Sequence, residues 1–303
     1  MSLRVAVDAQ IPSGGVAGGA EQFIEALAGG LAALDDRDLE FVVVVPGTRV
    51  PVAGLEPGDL SPRLRVVRGW VREPVARIFL SRVLGPAAGP LRAFWRLVRR
   101  GRIQPLGHAA GVENAGGFYR RLGADLVHVA HQSYVRTPLP TVYTPHDLQH
   151  EHHPEHFSAA DLAIRRAVYP VGCREARVVV ADAHFVAHDI VVRYGVDPAR
   201  VFAVPAATPL AAGLRAAHAR LGHWRHALGL PDRFAFYPAQ TWPHKNHSRL
   251  LRALVTLRDR DGIRLDLVCT GARNSFSTTV SAEVERLGLG DQVRFLGYVS
   301  QEE

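Results

Sequence analysis

The chain has 303 residues, 47% hydrophobic and 21% charged, which is ordinary globular composition and length enough for two domains. Two cysteines, Cys173 and Cys269, exclude a disulfide scaffold or a Cys-rich zinc module, and no run reaches the ~18 apolar residues of a spanning helix. The net charge of +7 is concentrated between Arg68 and Arg102, where nine arginines face one acid, Glu73. The remainder is near neutral, so no nucleic-acid partner is expected.

The chain opens on a strand, Arg4–Ala9, with neither a basic leader nor an apolar signal core, and a reducing cytoplasm is the expected compartment. Further strands are expected at Phe41–Val45, Leu64–Arg68, Leu126–Ala130, Thr141–Thr144, Val178–Ala181 and Val201–Val204. Most are unbroken apolar runs, as in strands covered on both faces. Helical periodicity at Ala20–Leu34, Ala159–Ala176 and Val186–Tyr194 supplies the βα alternation of a doubly wound parallel sheet. A second series begins near residue 230, with strands at Phe234–Tyr237, Leu265–Cys269 and Val293–Leu296 and helices at His247–Asp259 and Ser277–Leu287. The expected organisation is therefore a first domain over 1–205, a linker over 206–229 and a second domain over 230–303. The second has fewer strands than such a unit usually carries, and the reading is that it is incomplete.

Four segments could carry chemistry. The first is the turn after the opening strand, QIPSGGVAGGAEQ, whose glycines at 14, 15, 18 and 19 would let backbone N–H groups approach an anion or a sugar. It lacks G-x-G-x-x-G spacing, and the next strand ends in Pro46-Gly47 without a ribose-binding acid, so an NAD enzyme is disfavoured. The second is TPHDLQHEHHPEH, residues 144–156, at the carboxyl end of a strand, where open α/β sheets bind ligands. His146, Asp147 and His150 could converge on a metal, although H-E-x-x-H is absent; solvated loop histidines are the bland alternative.

The third is YPAQTWPHKNH, with Lys245 just before a helix. It is the one lysine among 36 basic residues, and it follows His244, which excludes a Walker-type NTPase; a protein kinase fails for want of its glycine-rich loop. A compact ammonium beside helix N-terminal donors suits phosphate oxygens. The fourth is PLRAFWRLVRRGR. Leu91, Phe94, Trp95 and Val98 share a helical face flanked by Arg92, Arg96, Arg99 and Arg100, so Leu91–Arg100 suits an anionic membrane surface or a helix packed on its own domain.

The combination resembles the GT-B glycosyltransferases of family 4, retaining enzymes that use nucleotide sugars. The resemblance runs the whole chain: GGAEQF, TPHDL, VVADAHFVAHDIVVRYGVDPARVFAVPAA, YPAQTWPHKNH, LVCTGA and VRFLGYVS, in order and at matching spacing. It implies two Rossmann-like domains facing a cleft, and no metal or cofactor beyond the nucleotide-sugar donor. Gly18 and Gly19 would lie near the donor phosphates or the acceptor, with Glu21 in support. His146 would sit beside the transferred sugar, with Asp147 supporting its loop. Lys245, with His244 and Asn246, would neutralise the leaving diphosphate, and Gly271, Tyr298 and Val299 would border the base.

Two departures stand out. Many members carry an Arg shortly before the phosphate lysine, where this chain has Ala239-Gln240-Thr241-Trp242-Pro243-His244. The family's paired-glutamate motif falls beyond Ser300. The expected activity is hexosyl transfer from a nucleotide diphosphate to a hydroxyl of a glycan or lipid-linked acceptor, as in polysaccharide biosynthesis, in the cytoplasm or peripherally on the membrane. The 303-residue chain itself is expected to be an inactive fragment. The alternatives are a catalytically silent acceptor- or membrane-binding module and a metal-dependent hydrolase built on the His146–His156 cluster.

Overall fold

The computed structural model describes residues 2–11, 19–46, 55, 57–69, 112–115, 117–206 and 225–299. Gly14, Gly15 and Gly18 of the first turn, the Leu91–Arg100 segment, and residues 207–224 of the 206–229 stretch lie outside them. The chain divides into two compact units, Met1–Thr208 and Pro209–Glu303.

Unit 1 is built on an eight-stranded sheet: β1 (Leu3–Asp8), β2 (Leu39–Pro46), β3 (Gly58–Ser61), β4 (Leu64–Gly69), β6 (Leu126–Val129), β8 (Thr141–His146), β9 (Val178–Ala181) and β10 (Val201–Ala203). Their order is β10-β9-β8-β6-β1-β2-β4-β3, parallel throughout except for the β3–β4 hairpin. Two short strands, β5 (Glu113–Asn114) and β7 (Val135–Arg136), pair separately.

The run LEFVVVVP shows why β2 is central. Successive side chains point to opposite faces, and both faces are buried: Val42 and Val44 join Ala6, Val127 and Val129 in one core, while Phe41, Val43 and Val45 join Val7 in the other. Helix α1 (Gly19–Ala32) covers the second face through Ile24 and Ala28. After the short helices α2 (Phe118–Arg121) and α3 (Gln149–His152), α4 (Ala159–Glu175) and α5 (His184–Tyr194) cover the first through Val168, Tyr169 and Ile190. Burying apolar surface on both faces is what holds such a sheet, at about 25 cal/mol per Å². Helix α4 starts at Ser158, whose Oγ accepts from the Asp161 amide at 3.1 Å. It lies so close to the sheet that a Cβ on Gly172 would stand 2.6 Å from the Tyr143 ring.

The chain runs outward from β1 through β2 to β4 on one side, then returns and runs from β6 through β8 and β9 to β10 on the other. This reversal makes the carboxyl ends of β1 and β6 the topological switch point, where open α/β sheets form their ligand crevice.

Unit 2 holds three parallel strands in sequence order, β11 (Phe234–Pro238), β12 (Asp266–Thr270) and β13 (Val293–Phe295). They alternate with α6 (His247–Asp261) and α7 (Ser277–Arg286) around a core of Leu251, Leu254, Leu267, Cys269, Val280, Val284, Leu289 and Val293. Among the described residues no helix is long and apolar enough to cross a membrane.

Candidate functional site

The carboxyl edge of the unit 1 sheet is lined with histidines and carboxylates. Strand β1 ends in Asp8, fully buried, whose Oδ1 accepts from the backbone and side-chain nitrogens of Gln10 at 3.2 and 3.1 Å. Across the switch point His131, just beyond β6, sets its Nε2 3.5 Å from Asp8 Oδ1 and its Nδ1 2.9 Å from Ser133 Oγ. His128, within β6, lies 2.9 Å from Thr144 Oγ1 on β8. Burial, reinforced by His146 and His131, pushes its pKa down to about 4, so it is neutral at pH 7.

His146 ends β8. The pairing of β8 with β9 shifts register between Tyr143 and His146, and His146 adopts φ 69°, which for a bulky residue costs about 1–2 kcal/mol. The bulge and the left-handed backbone turn the imidazole inward. Its Nδ1 lies 3.0 Å from Asp182 Oδ2, beyond β9, and its Nε2 3.3 Å from the Ala130 carbonyl. Both partners are acceptors, so each contact is a hydrogen bond only where the facing ring nitrogen carries a proton. The Phe23 ring of α1 meets the imidazole edge-on, centroids 4.6 Å apart. Phe23 thus packs α1 against His146, and Glu21 lies in the first turn of that helix. Gly19 opens that helix with no atom within 4 Å of where its Cβ would stand. Gly18 lies outside the described residues.

The His-rich segment differs from the loop expected of it. It forms α3 and a 3-10 turn at Pro154–His156, which sends His146, His150 and His152 to separate partners. His150 is fully buried against the Tyr169 ring, with Nε2 3.3 Å from Tyr194 Oη, and burial lowers its pKa. His152 Nε2 stands 2.6 Å from Asp189 Oδ2. Asp147 accepts from the Gln149 amide at 3.2 Å and faces Arg165 at 3.7 Å. His146, Asp147 and His150 therefore do not converge as the hydrolase alternative requires, because strand, turn and helix face in different directions. For His150 the solvated-loop alternative fails as well.

The carboxyl edge of the unit 2 sheet is assembled from three loops. After β11 the chain makes a 3-10 turn, Pro243–Lys245, and Asn246 takes φ 57° to redirect it into α6. Lys245 and Asn246 are exposed at that helix N-terminus and His244 is half-buried, while Tyr237 Oη donates to the Lys245 carbonyl from below. His247, first in α6, is buried against Tyr237; burial lowers its pKa, partly offset by the Ala239 backbone.

Gly271, after β12, has φ 134° and lies so close to the first loop that a Cβ would stand 2.8 Å from the Gln240 nitrogen. No other residue fits there. Its amide donates to the Gly297 carbonyl, which ties in the loop after β13 with Tyr298 and Val299. Thr241 Oγ1 lies 2.9 Å from both Asn274 Oδ1 and Ser277 Oγ. Trp242 and Phe276 stack edge-to-face, centroids 5.9 Å apart, and Tyr298 is 66% exposed. The result is an exposed ammonium and three accessible aromatic rings on a frame of backbone and hydroxyl hydrogen bonds.

Asp8, His128, His131 and Asp182 were missed as site candidates. Their signal was polar residues at the carboxyl ends of apolar strands, as in AVDAQ, VHVAHQ and VVADAH.

Comparison with known proteins bears on the whole chain. No curated protein sequence matches it. Among solved structures, HepE from Anabaena in complex with UDP and glucose is similar over 98% of this chain and 70% of its own, at 17% identity and a TM-score of 0.59. WaaG, a glycosyltransferase involved in lipopolysaccharide biosynthesis, is similar over the same shares at 14% identity and a TM-score of 0.56. These likenesses establish the GT-B fold, with a smaller second domain. The family model for group 1 glycosyl transferases matches residues 222–303. Residues 17–211 match the model for Glycosyltransferase Family 4, and with well over half of the chain matched, the protein belongs to that family of sugar-transferring enzymes.

Proposed function

We propose that the protein moves a sugar from a nucleotide diphosphate donor to a hydroxyl of a glycan or lipid-linked acceptor, with retention of anomeric configuration. The observation that carries this reading is where the backbone is strained. Among the described residues only His146 and Asn246 are non-glycine with positive φ. Each lies at the connection from a strand to the following helix at the carboxyl edge of a parallel sheet, where ligands of such folds bind, and strain of this kind concentrates at functional positions.

In this reading unit 2 takes the donor's nucleotide diphosphate. As the bond to the sugar breaks, negative charge builds on the departing phosphate. The Lys245 ammonium and the N-terminus of α6 stabilise that charge where it develops, with His244 and Asn246 alongside. Gly271 leaves the backbone open beside the base, which Tyr298 and Val299 border. HepE complexes with UDP and UDP-glucose support a nucleotide-sugar donor.

Unit 1 takes the sugar and the acceptor. His146 contacts the transferred sugar, held by Asp182 and the Ala130 carbonyl, while Gly18, Gly19 and Glu21 line the approach and Asp147 supports the turn. No metal or cofactor enters the reaction, so EDTA should leave turnover unchanged. A lipid-linked acceptor would place the enzyme peripherally on the cytoplasmic membrane face, where the sequence Leu91–Arg100 suits anionic lipid.

The test is release of nucleoside diphosphate from a panel of UDP-, GDP- and ADP-sugars, with the product anomer assigned by NMR. Donor-dependent release that Lys245→Ala lowers by about 30- to 1000-fold is expected. Release unaffected by that substitution, or an inverted product, would overturn the reading.

A further inference from the structure

The five histidines of residues 144–156 meet three different fates. His146 is engaged with Asp182, His150 is buried against Tyr169 and Tyr194, and His152 is paired with Asp189. His153 is exposed and His156 half-buried, with Glu155 between them: His153 Nδ1 lies 3.2 Å and His156 Nε2 3.9 Å from Glu155 Oε1. One potential ligand atom from each of the three side chains can be chosen so that all lie within 4.8 Å of one another, the one such group of His, Cys and acidic side chains among the described residues.

The backbone explains the convergence. In a 3-10 turn, side chains at i and i+3 eclipse, and His153 and His156 stand in that relation around Pro154. Their rings lie 5.6 Å apart and only 30° from parallel. The turn is tied at both ends. The His153 amide donates to the Gln149 carbonyl of α3 at 2.8 Å, the His156 amide to the His153 carbonyl at 3.1 Å, and the Ser158 cap of α4 follows at once. Arg165, on that helix, is engaged with Tyr169, the Phe157 ring and Asp147.

We infer that this turn binds a divalent transition-metal ion of the zinc class through His153, Glu155 and His156. Two imidazoles and a carboxylate are borderline ligands that suit zinc, copper or nickel rather than magnesium or calcium. Bonds of about 2.0–2.1 Å at tetrahedral angles put ligand atoms about 3.4 Å apart. The separations of 3.2 and 3.9 Å from Glu155 are near that, and all three ligand atoms lie within 4.8 Å, so rotation of the side chains closes the rest. Three protein ligands leave a fourth position open to water or an outside group. The site is distinct from the transfer chemistry, since His146 takes no part in it. Its effect is to pin the turn that joins α3 to α4.

The experiment is calorimetric titration of untagged protein with zinc chloride. Copper(II) paramagnetic resonance serves as a second readout, and His188→Ala as a control that removes an exposed histidine elsewhere. We expect one saturable site per chain, two nitrogen ligands on copper, and little change in His188→Ala. The double substitution His153→Ala/His156→Ala should weaken zinc binding at least tenfold. His156→Gln, which keeps the turn polar, should weaken it in the same direction and guards against a fold defect in the double variant. Absence of saturable binding, or binding that neither variant weakens, would overturn the inference.

Discussion

The two sheets present their carboxyl edges in opposite ways. In unit 1 the polar groups are buried or half-buried and lie against one another: Asp8 with Gln10 and His131, His128 with Thr144, His146 with Asp182 and Ala130. In unit 2 the hydrogen bonds run beneath the surface, through Gly271, Gly297, Thr241, Asn274 and Ser277, while Lys245, Trp242 and Tyr298 stand exposed above them. In the proposed function the first edge is the one pre-organised around the reacting centre. The second is a stiff platform whose charge awaits an anionic partner. Removing a group from the second should therefore cost function more than stability, and disturbing the first should cost both.

The largest expected effect breaks the platform's charge. In a form of the protein that turns over donor, Lys245→Ala should remove about 2–4 kcal/mol of transition-state stabilisation, read as kcat/KM, the usual loss when one oriented partner of a developing anion is deleted. Unfolding by urea should be unchanged, because the ammonium is exposed. Lys245→Arg should recover only part, since a planar fork does not sit where a point charge did. Kinetics and denaturation of the two variants check this together.

Next comes the frame beneath. Gly271→Ala would force a Cβ to 2.8 Å from the Gln240 nitrogen and hold alanine at φ 134°. Overpacking and backbone strain together should destabilise unit 2 by about 2–3 kcal/mol. With Trp70 and Trp95 of unit 1 replaced by phenylalanine, tryptophan fluorescence reports unit 2 alone, and its urea transition should shift to lower concentration.

A third prediction sharpens the contrast through pH. The folded-state pKa of His128 is about 4, against an ordinary value of 6.5. Between those values the unfolded chain binds the proton and the native state does not, so the native state loses stability as pH falls from 6.5 towards 4. By pH 5 the loss attributable to this residue should be about 2 kcal/mol. His128→Gln, neutral throughout and able to reach Thr144, should shrink that loss. Near-UV circular dichroism of the buried tyrosines in unit 1 would follow it.

Much of this was legible in the sequence. Continuous runs such as FVVVV and VVVA announce strands buried on both faces, and the observed ends fall within about two residues of those expected. Strand β3, Gly58–Ser61, was not legible: its side chains are largely exposed, and it is held by backbone pairing and by Ser61 Oγ, which accepts from the Leu64 amide at the turn. Lys245 stood out because its residue type is unique in the chain. The partners of His146 could not be found by spacing, since Asp182 lies 36 positions away and is delivered by the β8–β9 pairing. The separation of the histidines was equally hidden, because it depends on α3 forming within a segment that reads as a loop.

The smallest expected effect tests that long-range delivery. If Asp182 acts through His146, its value lies in where it holds the ring and not in a contact of its own. Asp182→Asn keeps the size and one hydrogen-bonding oxygen but removes the charge and allows an N–H to face the imidazole. The ring would then be free to turn, and a misplacement of this kind can cost up to about a hundredfold in rate. Because Phe23 and the Ala130 carbonyl still confine it, the loss should be nearer tenfold, about 1.4 kcal/mol, and should fall on kcat with KM little changed. His146→Ala should cost somewhat more. The double variant should cost no more than His146→Ala alone, since a positioning residue has nothing left to position. Additive losses in that cycle would mean that Asp182 contributes independently, and the picture of unit 1 as a pre-organised edge would fail at its central pair.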